Sequence, residues 1–208
     1  MANLVGMDCA RDCTALASDI RKAGVKFVGR YYRWPKSKYT PLTYDEALAL
    51  SQANLLIVAL WEWASDSISN FSYHDGFDQG SSAYNQALKA HQPAGTPIYF
   101  AADSDFSAQQ VSGAINDYFR GVAAAFSALG SGNSSYLIGV YGSGRTCDWL
   151  LNHKMAACTW LAVSSGWHGK KTFKDWDIDQ GDDDLGISGL DYDSDIAKPS
   201  FGGFKVLA

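Results

Sequence analysis

Residues 97–111, PIYFAADSDFSAQQV, open as a continuous apolar run and close as the start of a helix. From Pro97 to Asp103 the run has the unbroken hydrophobicity of a parallel strand covered on both faces. Ser107 and Gln110 then carry the spacing of a capping box. Val111, Ile115, Phe119, Val122 and Phe126 follow as a stripe at helical period, stopped by Gly130. Strand, short turn and helix make half of a βαβ unit. Between strand and helix stand two carboxylates one residue apart, Asp103 and Asp105.

The same alternation extends in both directions. Upstream, strand patterns cover 3–8 (NLVGMD), 25–32 (VKFVGRYY) and 55–63 (LLIVALWEW). Helical spacing covers 14–23 up to the Gly24 cap, then 43–53 behind a second capping-box pair, Thr43 and Glu46, then about 79–91 before Pro93. Downstream, strands are expected at 136–142 (YLIGVYG) and 159–164 (TWLAVS), with a helix at 144–154 between them. After that the helical signals stop, and 175–181 (DWDIDQG) and 189–193 (GLDYD) read as two short strands joined by polar loops. Eight strands with helices after the first five predict an α/β fold. It is a compact (β/α) TIM-type barrel with about five helices and strands running parallel. An open doubly wound sheet would carry a glycine-rich loop after its first strand, and GMDCARD is not one. No linker, repeat or low-complexity tract interrupts residues 1–208, so a single domain is expected.

Composition narrows the function. The net charge of −5 and the lack of any Lys/Arg run argue against nucleic acid as a partner. No stretch of eighteen apolar residues exists, so no membrane span is expected. The first residues, MANLVGMDCA, lack a signal-peptide pattern. Four cysteines (Cys9, Cys13, Cys147, Cys158) form no zinc spacing; buried thiols are the reading preferred, with Cys9–Cys13 and Cys147–Cys158 as the alternative pairings. His74, His91, His153 and His168 form no ligand set. DYDSDI and DIDQGDDD lack the glycine and terminal glutamate of a calcium loop, and no metal or other cofactor is expected. YGSGR has neither the spacing of a nucleophile elbow nor the lysine of a P-loop. Seven Trp, eleven Tyr and ten Phe supply rings enough for a core and for sugar-stacking surfaces.

In a barrel of this kind the functional face lies at the C-terminal ends of the strands. Those ends read Asp8; Arg30 with Tyr31 and Tyr32; Glu62 beside Trp63; Asp103 and Asp105; Tyr141; Trp167 on the loop beyond strand six; Asp177 and Asp179; and Asp193. Residues i and i+2 of a strand share a face about 6.6–6.8 Å apart, which would aim Asp103 and Asp105 together at the barrel mouth. Crowded carboxylates cannot all ionise, so one keeps its proton and can act as a general acid. Paired carboxylates of unequal pKa beside aromatic platforms suit glycosidic bond cleavage. The competing use of Asp105 is to help cap the helix after it, with Asp103 bonded to backbone amides.

GMDCA, PIYFAADSDF, IGVYGSGRTCDWL and GLDYDSDIA resemble strands one, four, five and eight of glycoside hydrolase family 25, the lysozyme-type muramidases. The chain resembles still more closely the glycoside-hydrolase-like barrel family of bacterial proteins related to it. The resemblance spans nearly the whole sequence. It implies a barrel with few helices that cleaves the glycan strands of peptidoglycan by carboxylate acid/base catalysis. It places Asp8 as the strand-one aspartate and Asp103 as the first residue of the strand-four Asp-x-Glu. Asp105 stands where the glutamate would be. Asp193 matches the strand-eight aspartate, with Asp195 in place of its Asn and Asp191 as the alternative register. Because Asp105 is one methylene short of that glutamate, Glu62 is the second candidate acid. Arg30, Tyr32, Trp63, Tyr141, Trp167 and Asp179 are the candidate substrate contacts. The implied partners are peptidoglycan or another polysaccharide and a delivery or immunity protein. The implied place of action is the cell wall, reached through phage lysis or a secretion apparatus. A carbohydrate-binding barrel without activity, or a hydrolase of another polysaccharide, are the alternatives.

Overall fold

The computed structural model describes residues 2–34, 37–131, 135–182 and 185–207. Five βα units come first. Strands β1 (Leu4–Asp8), β2 (Phe27–Tyr32), β3 (Leu56–Trp61), β4 (Pro97–Ala102) and β5 (Leu137–Gly142) are each followed by helix. The helices are α1 (Ala17–Lys22), α2 (Tyr44–Gln52), α3 (Tyr73–Lys89), a run of α4 (Ala108–Gln110), a π turn (Val111–Ile115) and α5 (Asn116–Leu129), and α6 (Gly144–Asn152). Short strands β6 (Cys158–Leu161) and β7 (Ile178–Gln180) follow without helices, and β8 (Leu185–Ile187) and β9 (Leu190–Ala197) form a hairpin. The sheet order β1-β2-β3-β4-β5-β6-β7-β9 closes through β9–β1, giving an eight-stranded barrel to which β8 is appended.

One feature departs from the expected parallel sheet. The closing strand β9 is antiparallel to both neighbours, β1 and β7. The hairpin with β8 delivers β9 to the barrel from the top, so its first residues, not its last, lie at the mouth. Asp193 is consequently level with Asp8, and Asp195 lies two residues deeper, level with Gly6.

Period-two alternation sorts each strand into two cores. Phe27, Val58, Leu60, Tyr99, Ala101, Trp160 and Ile178 fill the barrel, and Phe201 of the C-terminal tail joins them. Phe201 packs its ring 4.7 Å from Phe27, and its carbonyl accepts the Tyr99 hydroxyl at 2.8 Å. Val28, Tyr32, Ile57, Ala59, Trp61, Ile98, Phe100 and Val140 face outward into the helical layer. Gly29 makes room inside: a Cβ there would fall 2.6 Å from the Trp160 ring and 2.7 Å from Asp8 Cβ.

The Ser107–Gln110 capping box forms in both directions. At Thr43 only half of it forms. Thr43 Oγ1 accepts the Glu46 N–H at 3.2 Å, but the Glu46 carboxylate turns inward to Arg30 and to the Cys13 N–H. Helix α3 begins at Tyr73, six residues before the expected start, because Ser72 caps it through the Asp75 N–H. All four cysteines are buried free thiols, with the Cys9 and Cys13 sulfurs 3.1 Å apart.

Candidate functional site

The inward positions at the tops of the strands are polar where those below are apolar. On β1 and β2 they are Asp8 and Tyr31. Just past β3 and β4 they are Glu62 and Asp103, on β5 Tyr141, on β7 Gln180, and on β9 Asp193 above Asp195. The Tyr31 hydroxyl donates to Asp8 Oδ1 at 2.5 Å. Gln180 is fixed by its carbonyl oxygen, which accepts the Tyr141 hydroxyl at 2.8 Å and the Val163 N–H at 3.2 Å. With the carbonyl so engaged, its NH2 must point the other way. There it donates to Asp8 Oδ2 at 3.0 Å and Asp193 Oδ2 at 3.2 Å. One amide thus ties two acids together.

Asp195 lies beneath them, with Oδ1 accepting the Trp160 indole N–H at 2.9 Å. Its Oδ2 is buried and receives no N–H or O–H donor. Burial first, then the charge of Asp8, holds the Asp195 carboxyl well above the usual range, which favours its protonated form. Asp8 itself is pushed up to about 7 by burial. The bonds from Tyr31 and Gln180 oppose the shift, and the charges of Asp193 and Glu62 add to it. Glu62 is raised by burial and held back by Arg33, whose Nη2 lies 3.1 Å from Oε2; Asp103, Asp193 and Asp66 push it further up. Burial also raises Asp103, with Asp66 and Asp193 adding and the Tyr141 hydroxyl opposing. Two candidate acids of raised pKa, Glu62 and Asp103, therefore stand over two buried acids, Asp8 and Asp195, whose pKa values are raised as well.

Above them opens a bowl of about 320 Å³ lined by Arg33, Glu62, Trp63, Ala64, Ser65, Asp66 and Asp103. Its floor is held by the Asp103 N–H, which donates to the Ser65 carbonyl at 2.8 Å and joins the loops after β3 and β4. Ala64 sits at φ +48°, a left-handed conformation that a residue with a Cβ adopts at a cost of about 1–3 kcal/mol. That turn lifts Trp63 onto the rim, where it is 42% exposed. Among the described residues no group of three or more His, Cys, Asp or Glu is arranged to hold a metal ion. The acidic run after β7 ends in Asp183 and Asp184, which lie outside the described residues.

Of the residues singled out in the sequence, Asp8, Glu62, Asp103, Asp193, Trp63 and Tyr141 come to this face. Asp105 does not. Strand β4 ends at Ala102, and the Ser104 N–H bonds back to the Ala102 carbonyl, so the i, i+2 rule for strands no longer holds beyond it. Asp105 is exposed and lies 3.8 Å from the Arg145 guanidinium. Arg30 is also misplaced by the strand-end reading: it faces outward on β2 and is fully buried in a double contact with Glu46. It also donates to the carbonyls of Cys9 and Thr40. Tyr32 faces the same way, its hydroxyl on Gln92 Oε1. Asp179 points out of the barrel to Lys170 Nζ at 2.6 Å. Trp167 is half-buried on the loop after β6 and is not part of the bowl's lining. Gln180, Arg33 and Asp66 were not singled out in the sequence, and Tyr31 and Asp195, named at a strand end and in the strand-eight motif, were given no role there. Alternation carried from Phe27 and from Ile178 would have marked Tyr31 and Gln180 as inward.

Among curated proteins, the uncharacterized protein YbfG of Bacillus subtilis (strain 168) is 28% identical over 175 residues, covering 79% of this chain and 24% of YbfG. The chain thus spans about a quarter of that relative's length. Among solved structures, a family 25 glycosyl hydrolase from Bacillus anthracis superposes with a TM-score of 0.54 at 10% identity, over 94% of this chain and 89% of that one. The Tat-secreted protein Rv2525c of Mycobacterium tuberculosis, crystallised with L-tartrate, superposes with a TM-score of 0.81 at 24% identity, over 96% and 98%. The model of the Rv2525c-like, glycoside hydrolase-like domain matches residues 18–195, and the chain belongs to that family.

Proposed function

We propose that this barrel hydrolyses glycosidic bonds in bacterial cell-wall peptidoglycan, with Glu62 as the general acid. The observation that carries the reading is the crowding of Asp8, Glu62, Asp103, Asp193 and Asp195 at one end of the barrel, where Glu62 and Asp103 line an open bowl and Asp8, Glu62, Asp103 and Asp195 all have raised pKa values. A carboxylic acid that holds its proton toward neutral pH can protonate a leaving oxygen. Glu62 has the longer side chain, borders the bowl, and is raised by burial. Asp103, on the same wall, supplies negative charge for the developing oxocarbenium ion or a partner for an acetamido N–H. The Asp8–Asp195 pair and Gln180 set the field beneath and fix the position of Asp193. Trp63 offers a ring at the rim for a sugar face. Asp105, paired with Arg145, takes no part.

A second reading has its own support. With Asp105 turned away, Asp103 lacks the neighbouring acid that the family 25 resemblance assigns to it, which favours a barrel that binds glycan without cutting it. Turbidity clearing of purified cell wall, measured together with pull-down on the same wall, separates the two. Clearing by wild type that is lost in Glu62→Gln and Asp103→Asn supports hydrolysis. Retention on the wall by all three proteins with no clearing supports binding alone. Action at the wall, on peptidoglycan as partner, belongs to this proposal, as does the delivery that brings the protein there. Among the described residues no helix is long and apolar enough to cross a membrane.

A further inference from the structure

We propose that the cleft between α3 and the loop leading into α2 is a second subsite, which takes a carboxylate-bearing substituent carried on the glycan that occupies the bowl. The assignment rests on the glycan reading above. The cleft measures about 410 Å³, within the range of roughly 300–1,000 Å³ that holds small organic ligands. Arg33 borders both cavities, so the two adjoin at its side chain.

Charge is segregated across that boundary. Among the described residues the bowl is lined by three acids, Glu62, Asp66 and Asp103, and one cation, Arg33. Among the described residues the cleft is lined by two cations, Lys89 and Arg33 (the latter paired with Glu62 on the bowl side), and by no Asp or Glu. In a chain of net charge −5 that is a local reversal of sign. Asn85 and Ser82 add polar groups, and Leu42 and Tyr44 supply an apolar wall.

The cleft is built in advance. Gln86 of α3 clamps the backbone of Arg33 from both sides: Oε1 accepts its N–H at 3.1 Å and Nε2 donates to its carbonyl at 2.9 Å. The Arg33 guanidinium lies over the Tyr31 ring at 4.3 Å and holds Glu62 through Nη2, while its Nε is buried without a partner. A guanidinium matches a carboxylate with two parallel N–H groups. Here Nη2 is already engaged by Glu62 and Nε is buried, so Arg33 gives the cleft its long-range charge while Lys89, exposed on α3, is the cation free to meet a ligand carboxylate. A neutral sugar on the acidic side with an anionic tail on the basic side fits this polarity, and the same tail laid in reverse would be repelled.

The test compares two ligands of one shape by titration calorimetry: a peptidoglycan disaccharide bearing a short peptide with free carboxylates, and the same molecule with those carboxylates amidated. Wild type should bind the free acid about ten-fold more tightly, the worth of one charge-assisted hydrogen bond. Raising the salt should shrink that advantage. In Lys89→Glu, an exposed position on the last turn of α3, the advantage should vanish, and Lys89→Gln should fall between. Equal affinity for both ligands in wild type, or an advantage undiminished in Lys89→Glu, overturns the cleft assignment and leaves the bowl standing. Binding of neither ligand overturns the assignment together with the glycan reading beneath it.

Discussion

Replacing Asp8 by Asn isolates the electrostatic load of the barrel mouth. Asp8 is 2% exposed, and its pKa rises from 3.8 to about 7. The native fold therefore holds a proton on Asp8 that the unfolded chain releases above pH 3.8. Between pH 4 and pH 7 the folded state binds more protons than the unfolded state, so this group lowers stability as pH rises and its effect levels off above 7. Three pKa units at about 1.4 kcal/mol each give roughly 4 kcal/mol of accumulated destabilisation at pH 8. Asparagine removes that load. It also puts an NH2 against Gln180 or surrenders the Tyr31 bond, at a cost of about 1 kcal/mol. The variant should thus be equal to or weaker than wild type near pH 4 and more stable by about 3 kcal/mol at pH 8. Urea midpoints at a series of pH values read this directly. A stability difference between the two proteins that does not change with pH would refute the claim that Asp8 is a buried acid crowded by its neighbours.

Glu46→Gln should lower stability by about 3–5 kcal/mol by urea unfolding, since it leaves the fully buried Arg30 guanidinium uncompensated; a loss below about 1 kcal/mol would argue against a structural role for Arg30. Arg33→Gln removes the charge that opposes the raised pKa of Glu62. Glu62 then keeps its proton to higher pH, and the alkaline limb of the wall-clearing pH profile should move upward; an unmoved limb would dissociate Glu62 from the acid role. Asp105→Asn should leave clearing within about two-fold of wild type, because the exposed Asp105–Arg145 contact contributes little; a large loss would restore Asp105 to the site.

How much of this was legible in the sequence follows from how each signal works. Strand–helix alternation fixed five βα units and a barrel, because apolar runs of strand length and capped helical stripes are local signals. The direction of β9 was not local. It depends on the β8–β9 hairpin, and eight residues reading LDYDSDIA carry no mark of which end faces the mouth. At the site, strand ends located Asp8, Glu62 and Asp103 because those acids fall on the inward parity. The same rule failed for Arg30 and Tyr32, which sit on the outward parity with Gly29 and Tyr31 between and beside them. Glu46, buried against Arg30, was hidden behind a capping-box reading that its position also satisfied. Asp105 was lost when the strand stopped one residue before Asp103. Gln180 escaped notice because a single amide has no motif; its importance comes from the four partners that the barrel brings around it.

The most direct measurement of the central claim is the appearance of new reducing ends when purified peptidoglycan is incubated with wild type and with Glu62→Gln side by side. Acid catalysis at the barrel mouth predicts reducing ends that accumulate with wild type and fall by at least about 100-fold in the variant, the scale of a lost general acid. Equal release by both proteins, or none by wild type on wall to which it binds, would contradict it.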